Sequence, residues 1–492
     1  MRIGSRLYEL GGGELKDLLG IETAEIARYN YGYYQVYYNC LKYFGLDRIL
    51  RNIGKKHSKL NFDPLNATML MLVERLHDPC SKRANYNNQS EYIGITPIDL
   101  QHIYRCLDKL ADYNKLIQRH IFQKGRDLFN QELDVVFYDV TTLYFDSEVE
   151  EPGKIRQTGF SKDGKIGKTQ VLFGMLIDRY KQPIGYRIYS GNTYEGHTFE
   201  DVIDDLKKEY QIDKVIVVAD RGMLSANNIE ITINNSYEFI VGERLRKLPS
   251  PVKDYLLNLE NYTQDWIYID SEDKEVVVRY CSMEYLNRTI IGTYSIKRAR
   301  KDKMDREKKL LTAQKLLANP CLIGKKASRY FLKKQGKETY LLDDNKINSD
   351  QGHDGFLAIS TNNTNLSTCD VLDQYKQLYK IEHTFRTFKS HLETRPMYHW
   401  NDKRIAGHIC LCYMAYALLN RTLLKLESSG IKISENKLRK LLDKMQLSLV
   451  EHEGKKVYLR SAQQPEEAFI QKQLGVKTIP NVLPVDQINQ YI

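Results

Sequence analysis

The fold class of this chain follows from two stretches of sequence, Leu133-Asp-Val-Val-Phe-Tyr-Asp139 and Lys214-Val-Ile-Val-Val-Ala-Asp220. Each is a short, continuous apolar run, which is typical of a strand buried on both faces of a sheet. Each run ends in an aspartate, so both carboxylates are predicted at the sheet edge, where strands commonly present ligands. Two acids at neighbouring strand ends repel each other unless a cation is bound.

The segments that follow these runs complete a sheet covered by helices. Apolar patterning predicts strands at Thr169–Asp178, Pro183–Tyr189 and Tyr237–Val241, and helices at Thr198–Tyr210 and Met223–Asn235. Thr198 is the predicted cap of the first of these helices. This order of elements predicts an α/β fold with a mixed sheet.

A third acid, Glu382, lies in a predicted helix over Leu366–Leu392. At about 100° per residue, one polar stripe of this helix carries Tyr375, Tyr379, Glu382, Arg386 and Lys389. A charged stripe is usually a solvated surface, whereas tyrosines and basic groups flanking an acid also fit a site that grips phosphates. Two aspartates and a glutamate can hold two Mg²⁺ ions, with Mn²⁺ as a substitute, because oxygen-only ligands favour these ions over zinc.

Changes in pattern along the chain divide it into five predicted regions. They are a helical N-terminal region at 1–132, the first part of an α/β core at 133–242, a β-rich insertion at 243–365, the second part of the core with the glutamate helix at 366–428, and a helical, polar C-terminal tail at 429–492. In the first region, helices are predicted at Leu65–Leu76 and Leu100–Phe122. In the last two, they are predicted at Arg404–Leu426 and Ser434–Met445.

Charge and cysteine usage limit the class of protein. The chain has 492 residues and a net charge of +10, a basic excess that favours a polyanionic partner without establishing one. The eight cysteines contain no Cys-x-x-Cys pair, which argues against a zinc ribbon and indicates reduced thiols in a cytoplasmic protein. The N-terminus lacks the apolar core of a signal peptide. The most apolar stretch, Ile409–Leu419, is about half the roughly 20 residues of a membrane span, so a buried helix and no membrane are predicted.

A basic run at residues 297–309 lies inside the predicted insertion and has two interpretations. It is either a solvated helix or a surface that follows a phosphate backbone. Acidic residues at 302, 305 and 307 dilute the run, so the sequence leaves both interpretations open.

The spacing around Glu382 resembles that of a known family. The chain resembles bacterial insertion-sequence DDE transposases, in particular the insertion-sequence-four-like group with a tyrosine-arginine-glutamate-lysine (YREK) signature around the catalytic glutamate. The signature spacing falls on Tyr375, Leu378, Glu382 and Lys389, and three of these four residues match it. Leu378 stands where the group has arginine. Lys380, Tyr379 and Arg386 are the candidates to replace that arginine.

Other stretches, from about residue 70 to 425, are similar to the same group. They are Pro79–Lys82, Ile103–Asp108, Gly159–Asp163 with Gln170, Gly191–Thr193 with Glu195 and His197, Ala219–Gly222 and Arg395–Trp400. One set of three acids is weak by itself, whereas these stretches in the same order make the resemblance specific.

The resemblance implies an RNase H-like catalytic core in which Asp139, Asp220 and Glu382 bind the metal ions. It also implies cut-and-paste DNA transposition, in which water nicks the transposon end and the freed 3′-hydroxyl attacks the other strand and then target DNA. The residues expected to hold DNA are Tyr375, Lys389, Arg221 and Arg386. The expected partners are the terminal inverted repeats, target DNA and a second copy of the chain, in the bacterial cytoplasm and on the nucleoid when bound to DNA. The N-terminal region is expected to bind DNA ends, and the tail is a candidate dimer contact.

Two alternatives stay open beside this reading. One is an RNase H-fold nuclease that cuts DNA without joining it. The other is a catalytically inactive, DNA-binding transposase relic. The intact set of Asp139, Asp220 and Glu382 argues against a decayed site. Leu378 and the abrupt N-terminus are compatible with an inactive relic.

Overall fold

The computed structural model describes residues 24–127, 135–150, 154–212, 215–223, 225–270, 272–318, 330–335, 339–452 and 455–491. The beginnings of both decisive stretches, Leu133-Asp134 and Lys214, lie outside these residues. The described residues form two units. Unit 1 comprises those within 1–133, 138–194 and 380–492, and unit 2 comprises those within 134–137 and 195–379.

The helices of the described residues are numbered in chain order. They are α1 Gly32–Tyr43, α2 Leu46–Lys56, α3 Pro64–His77, α4 Lys82–Asn88, α5 Leu100–Asp112, α6 Asn114–Asp127, α7 Thr198–Lys208, α8 Ala226–Asn234, α9 Ser250–Leu257, α10 Ile296–Ala318, α11 Asp344–Gln351, α12 Thr368–Lys376, α13 Tyr379–Arg386, α14 Asp402–Ser428, α15 Glu435–Asp443 and α16 Pro465–Gln473.

The strands are numbered in the same way. They are β1 Ala24–Asn30, β2 Val135–Tyr144, β3 Gln157–Thr158, β4 Thr169–Asp178, β5 Pro183–Ser190, β6 Ile216–Ala219, β7 Glu238–Glu243, β8 Gln264–Ile269, β9 Glu275–Tyr285, β10 Arg288–Tyr294, β11 Leu332–Gln335, β12 Thr339–Leu342, β13 Phe356–Thr361, β14 Gln446–His452, β15 Lys455–Arg460 and β16 Val482–Pro484.

Unit 1 contains the antiparallel part of the predicted sheet. In strand order, β4 lies beside β2 and β3, and β5 pairs antiparallel with β4. Strand β4 is buried from Thr169 to Ile177, as expected for a continuous apolar run. The buried helix α14 belongs to the same unit. A Cβ atom on Gly407 of α14 would lie 2.0 Å from the Leu107 carbonyl oxygen of α5, so glycine lets these two helices pack closely.

Unit 2 contains the parallel part of the sheet and its extension. Strands β6 and β7 are parallel, and the first residues of β2, Val135–Phe137, lie in this unit beside β6. Antiparallel pairs continue the sheet from β7 through β13, β10 and β9 to β8. Strands of the predicted insertion therefore lengthen this sheet. Parallel and antiparallel pairs together confirm the predicted α/β fold with a mixed sheet.

A second sheet lies where none was predicted. Strands β1, β14, β15 and β16 pair in that order, all antiparallel, so the N-terminal region is not purely helical and the tail is not only helical. Strand β1 meets β14 across more than four hundred residues of sequence, as in the pair Asn30 and Gln446. A pairing this distant leaves little local signal, because strand formation depends on the partner strand more than on propensity.

Three predicted helices differ in detail from the observed ones. The segment Leu100–Phe122 forms two helices, and the Asn114 side chain at the junction donates to the Ala111 carbonyl at the end of α5. Thr198 is the first residue of α7 and not its cap, because its hydroxyl donates to the Glu195 carbonyl. The predicted helix Met223–Asn235 begins only at Ala226, where the Ser225 side chain caps α8.

The long apolar helix α14 is a core helix. Its 27 residues are long and apolar enough to cross a membrane by composition, and 89% of its most apolar window is buried inside the protein. The predicted buried helix at Arg404–Leu426 is thus present and slightly longer than expected.

Candidate active site

Asp139 lies in the middle of β2, and the prediction that it ends the strand is wrong. The strand continues to Tyr144, and Val140 and Leu143 beyond the aspartate are fully buried. The Asp139 side chain is 19% exposed, and its Oδ1 accepts a hydrogen bond of 2.7 Å from the Val140 amide. The carboxylate is therefore held on the face of a strand within unit 1.

Glu382 lies on α13, and the single helix predicted over Leu366–Leu392 is observed as three pieces. Helix α12 ends at Lys376, α13 begins at Tyr379, and a five-residue π-helix follows at Thr387–His391. The amide of Leu378 donates to the Tyr375 carbonyl, a tightened turn that ends α12.

The prediction that one uninterrupted helix carries the polar stripe from Tyr375 to Lys389 is therefore wrong. Tyr375 lies on α12 in unit 2, whereas Glu382 and Arg386 lie on α13 in unit 1. Lys389 lies in the π-helix, whose wider turn departs from the spacing of an α-helix. Within unit 1, Glu382 and Arg386 of α13 and Lys389 of the π-helix line one cleft.

Within unit 1, Asp139 and Glu382 line the same cleft. Its volume is about 290 Å³, and its wall consists of Asp139, Glu382, Phe385, Arg386, Lys389, Ser390 and Arg395. Four of the seven predicted site residues thus meet in one place: two proposed metal ligands and two proposed DNA contacts. Arg395 joins them, in a stretch singled out for its family likeness and given no role.

Aromatic packing fixes the helix that carries Glu382. The ring of Phe385 on α13 lies 6.2 Å from that of Phe173 on β4, and Phe388 lies 5.2 Å from the same ring. Phe388 also contacts Tyr416 of α14 at 5.2 Å. Because the apolar side of α13 and the π-helix is buried against the sheet and α14, Glu382 and Lys389 on the other side line the cleft.

Lys162 and Asp163 balance the charges of this cleft. The sequence did not single them out as site residues. The Lys162 ammonium lies 3.6 Å from Asp139 Oδ1 and donates to the Val140 carbonyl. Asp163 accepts from Lys389 Nζ at 3.0 and 3.3 Å and forms an ion pair with Arg395. Burial lowers the pKa of Lys389, and the Asp163 carboxylate opposes that shift.

A larger basic cavity of about 670 Å³ adjoins the cleft, since Arg395 lines both. Its wall carries the cationic side chains Arg75, Lys82, Arg395 and Arg404, the aromatic rings of Tyr104, Tyr398 and Trp400, and the acid Glu393. Burial lowers the pKa of Lys82 to about 7. Trp400 is 56% exposed, and the guanidinium of buried Arg156 lies 4.0 Å from its ring centroid. Cations interleaved with exposed aromatic rings suit a nucleic-acid strand.

Asp220 directly follows β6 in unit 2, as predicted, and is exposed. Its turn is held by one backbone hydrogen bond and by the side chain of Arg244. The Met223 amide donates to the Asp220 carbonyl at 3.0 Å, and Arg244 donates to the carbonyls of Arg221 and Gly222 at 3.2 and 3.3 Å. Asp220 and Arg221 therefore project from a braced turn.

Tyr375 belongs to this second region. Its hydroxyl packs over Gly242 of β7, where a Cβ atom would approach to 2.4 Å. The same position lies 3.1 Å from the Arg221 backbone nitrogen and Cβ. A glycine in β7 thus lets Tyr375 and the turn after Asp220 pack together.

The described residues contain no group of three or more histidine, cysteine, aspartate or glutamate side chains placed to hold a metal ion. Asp139 and Glu382 supply carboxylates to the unit 1 cleft, and Asp220 supplies one in unit 2. All three are oxygen donors, the type that Mg²⁺ and Mn²⁺ prefer. Asp139 already attracts one cation, the Lys162 ammonium.

A family model described as the transposase DDE domain matches residues 131–418, more than half of the chain. The chain belongs to this family. The matched region contains Asp139, Asp220 and Glu382, so all three acids of the sequence prediction lie inside the transposase domain.

Comparison with solved structures found similar transposase complexes. A piggyBac transposase synaptic complex with hairpin DNA matches with a TM-score of 0.39 and 10% identity, covering 77% of this chain and 70% of that chain. A pre-cleavage Mos1 transpososome matches with a TM-score of 0.17 and 13% identity over 39% of this chain and 58% of its own. A Mos1 paired-end complex with the left transposon end has a TM-score of 0.17 and 14% identity, with coverages of 39% and 57%. No curated protein matched the chain significantly.

The basic helix α10 carries the run at 297–309. Pairs between neighbouring turns of the helix balance part of its charge: Arg298 with Asp302, Lys303 with Glu307 and Lys308 with Asp305. Arg306 is buried and pairs with Asp354. Of the two interpretations, this arrangement favours the solvated helix.

Proposed function

We propose that this protein is the transposase of an insertion sequence, which binds transposon ends and catalyses metal-dependent DNA cleavage and strand transfer. The observation that carries the proposal is the unit 1 cleft. Asp139 and Glu382 line it together with Arg386 and Lys389, within a transposase DDE domain. Carboxylates beside cations suit a reaction in which metal ions and phosphates meet.

Asp139, Asp220 and Glu382 would hold two Mg²⁺ ions, with Mn²⁺ as a substitute. When bound, such ions lower the pKa of water and stabilise the charge on attacking and leaving oxygens of a phosphodiester. The chain's own contribution is to fix the carboxylates. Asp139 is held on a strand, Glu382 on a helix packed by aromatic rings, and Asp220 on a turn braced by Arg244.

The cations of the cleft would hold the DNA backbone. Lys389 and Arg386 line the cleft beside the carboxylates, and Arg221 and Tyr375 would grip DNA near Asp220. The basic cavity that shares Arg395 with the cleft would receive the strand beyond the reacting phosphate. Its exposed aromatic rings are suited to stack on the bases of that strand.

We assign the protein to the insertion-sequence-four-like group and its cut-and-paste reaction. Tyr375, Glu382 and Lys389 support the YREK signature, and Leu378 departs from it. Arg386 is the best replacement for the missing arginine, because it is exposed and lines the cleft. Lys380, by contrast, is half-buried and donates to the Arg179 carbonyl at 2.6 Å.

The proposed partners are the inverted repeats at both transposon ends, target DNA and a second copy of the chain. Two copies would bring two ends together, with the N-terminal region binding ends and the tail region at 429–492 supplying a dimer contact. The proposed location is the bacterial cytoplasm, on the nucleoid when DNA is bound.

The test is cleavage of the gene's own flanking DNA by the purified protein, with Mg²⁺ or with EDTA, beside Glu382→Gln. Metal-dependent nicking at one defined boundary, absent in the variant, is the expected result. Binding without nicking would instead support the inactive relic. Nicks scattered along the DNA, with no joined product, would support the nuclease.

A further inference from the structure

The segment between β3 and β4 carries the two residues that balance the cleft. Lys162 and Asp163 are adjacent in sequence and lie within unit 1, in the stretch Gly159–Gly167. Lys162 approaches the Asp139 carboxylate, while Asp163 binds Lys389 and Arg395. One dipeptide thus contacts both charge types of the cleft.

The two contacting groups carry the same signs of charge as the ligands that the reaction would bring. The Lys162 ammonium stands beside Asp139, a proposed ligand of metal cations. The Asp163 carboxylate stands beside Lys389 and Arg395, which line the cleft and would receive phosphates. Cation replaces cation and anion replaces anion, so the dipeptide imitates the charge pattern of a metal-loaded DNA complex.

The local backbone suits a segment that moves as a small unit. Phe160 and Ile166 are 86% and 95% exposed, so these apolar side chains do not anchor it. Gly164 and Gly167 have positive φ angles of 68° and 81°. Ser161 Oγ accepts from the amides of Asp163 and Lys165, which keeps the tip folded on itself.

The base of the segment is fixed more firmly than its tip. The Gln170 side chain on β4 donates to the Phe160 carbonyl at 3.0 Å and to the Gly191 carbonyl at 2.9 Å. Gln170 is fully buried. The base is thus attached to the sheet through Gln170, whereas the tip is attached through the charged contacts of Lys162 and Asp163.

We propose that Lys162-Asp163 is an internal stand-in for metal and DNA phosphate, which both ligands must displace together. The inference rests on the proposed function, because it assigns the cleft those two ligands. When the tip leaves, Asp139 loses its protein cation and Lys389 and Arg395 lose their protein anion. Metal binding and DNA binding are then coupled through one segment, so each ligand should raise the affinity for the other.

The experiment measures each ligand separately on the full chain. Mn²⁺ binding is followed by titration calorimetry without DNA, and binding of a short, labelled, random-sequence duplex is followed by fluorescence anisotropy without metal. Asp163→Asn should raise duplex affinity about tenfold, because two cations are released for phosphates. Lys162→Gln should tighten Mn²⁺ binding about tenfold by removing the competing cation.

Matched variants separate displacement from a general change in charge. Asp146→Asn adds the same net charge as Asp163→Asn from an exposed site near the end of β2. Lys165→Gln removes the same charge as Lys162→Gln from the same segment. Both controls should change either affinity less than about twofold. Adding Lys389→Ala to Asp163→Asn should remove part of the gain in duplex affinity, because only Arg395 of the two released cations then remains.

Several outcomes would overturn the stand-in. Asp163→Asn could weaken duplex binding as Lys389→Ala does, which would make Asp163 a positioning residue for Lys389. Unchanged Mn²⁺ binding in Lys162→Gln would show that Lys162 does not compete with the metal ion for Asp139. Failure of the proposed function has a different signature: the unaltered chain would bind neither the duplex nor Mn²⁺, or Asp139→Asn would leave Mn²⁺ binding unchanged.

Discussion

The two regions that carry the predicted carboxylates differ in how their charges are balanced. In unit 1, Asp139 lies within a strand, and the cleft it shares with Glu382 already contains Lys162 and Asp163 as internal partners. In unit 2, Asp220 is exposed directly after β6. Its turn is held by a backbone hydrogen bond and by the Arg244 side chain, and the carboxylate is exposed.

This difference indicates separate tasks for the two regions. In the proposed site, the exposed carboxylate of Asp220 on its braced turn would meet a metal ion without displacing a protein partner of the kind seen in unit 1. Under the stand-in proposal, the cleft of unit 1 would exchange the charges of Lys162 and Asp163 for those of metal and phosphate. In the proposed reaction both regions supply a metal ligand, and control over the binding of metal and DNA is expected in unit 1.

The largest expected effect tests whether both regions serve one reaction. Asp139→Ala, Asp220→Ala and Glu382→Ala should each reduce strand cleavage about 10³-fold or more, because each removes a proposed metal ligand. DNA binding, measured by anisotropy, should stay within a few-fold of the unaltered chain. Asp146→Ala is the control, since that acid is exposed and lies outside the cleft. Near-normal cleavage by Asp220→Ala would remove unit 2 from the site.

A smaller effect sharpens the role of the cations in unit 1. Lys389→Ala should weaken duplex binding about tenfold and flatten the slope of log affinity against log salt by about 0.9, as expected for one lost phosphate contact. Lys165→Ala removes a cation from the nearby segment and should leave both quantities close to normal. Unchanged binding by Lys389→Ala would limit Lys389 to its pair with Asp163.

The basic cavity of unit 1 predicts a dependence of stability on pH. Burial lowers the pKa of Lys82 from 10.5 to about 7, so between pH 7 and 9 the unfolded chain binds more protons than the folded one. The contribution of Lys82 to the free energy of unfolding should then rise with pH, by at most about 1.4 kcal/mol per unit. Burial raises the pKa of Cys80 to about 12, so above pH 9 the folded chain keeps a proton that the unfolded chain loses. The contribution of this thiol to the free energy of unfolding therefore falls as the pH rises.

Urea unfolding at several pH values between 7 and 9 would measure this slope. Lys82→Met keeps the length of the side chain and should flatten it. Lys165→Met, a control in the exposed segment, should keep the slope of the unaltered chain. An equal slope in Lys82→Met would show that the buried ammonium is not its source.

The smallest expected effect concerns the departure from the family signature. Leu378 lies in the turn between α12 and α13. The substitution Leu378→Arg therefore adds a cation at the signature position between Tyr375 and Glu382. If Arg386 already fills the role, duplex affinity and cleavage rate should change less than about twofold. Arg386→Ala should then lower duplex affinity more than Leu378→Arg raises it. A large gain in Leu378→Arg would show that the role is vacant.

The strands and the family could be predicted from the sequence because their signals lie within short stretches of the chain. Continuous apolar runs such as Thr169–Asp178 and the one before Asp220 mark buried strands within a few residues. Asp139 was misplaced because the polar Thr141-Thr142 pair resembles the end of a strand, although both threonines are buried in β2. Local polarity alone does not show that a strand continues.

The internal balance of the cleft was beyond the reach of local patterns. The sequence gives no sign of the helix break after Lys376, because the helical spacing of apolar residues continues at Leu378. The partners Asp163 and Lys389 lie 226 residues apart, so their contact depends on the completed sheet and helix packing. The same holds for β1 and β14, whose pairing joins the two ends of the chain.

The most direct test of the central claim is a change of ligand atom at Asp220, the acid that unit 2 contributes. Asp220→Cys replaces an oxygen ligand by sulfur, which Mg²⁺ binds poorly and Mn²⁺ accepts better. The measurement is cleavage of flanking DNA by this variant in each metal, beside Asp220→Ala. If Asp220 binds the catalytic metal, Asp220→Cys is inactive in Mg²⁺ and recovers in Mn²⁺, while Asp220→Ala is inactive in both. Equal activity of Asp220→Cys in the two metals, or recovery of Asp220→Ala in Mn²⁺, would contradict the account.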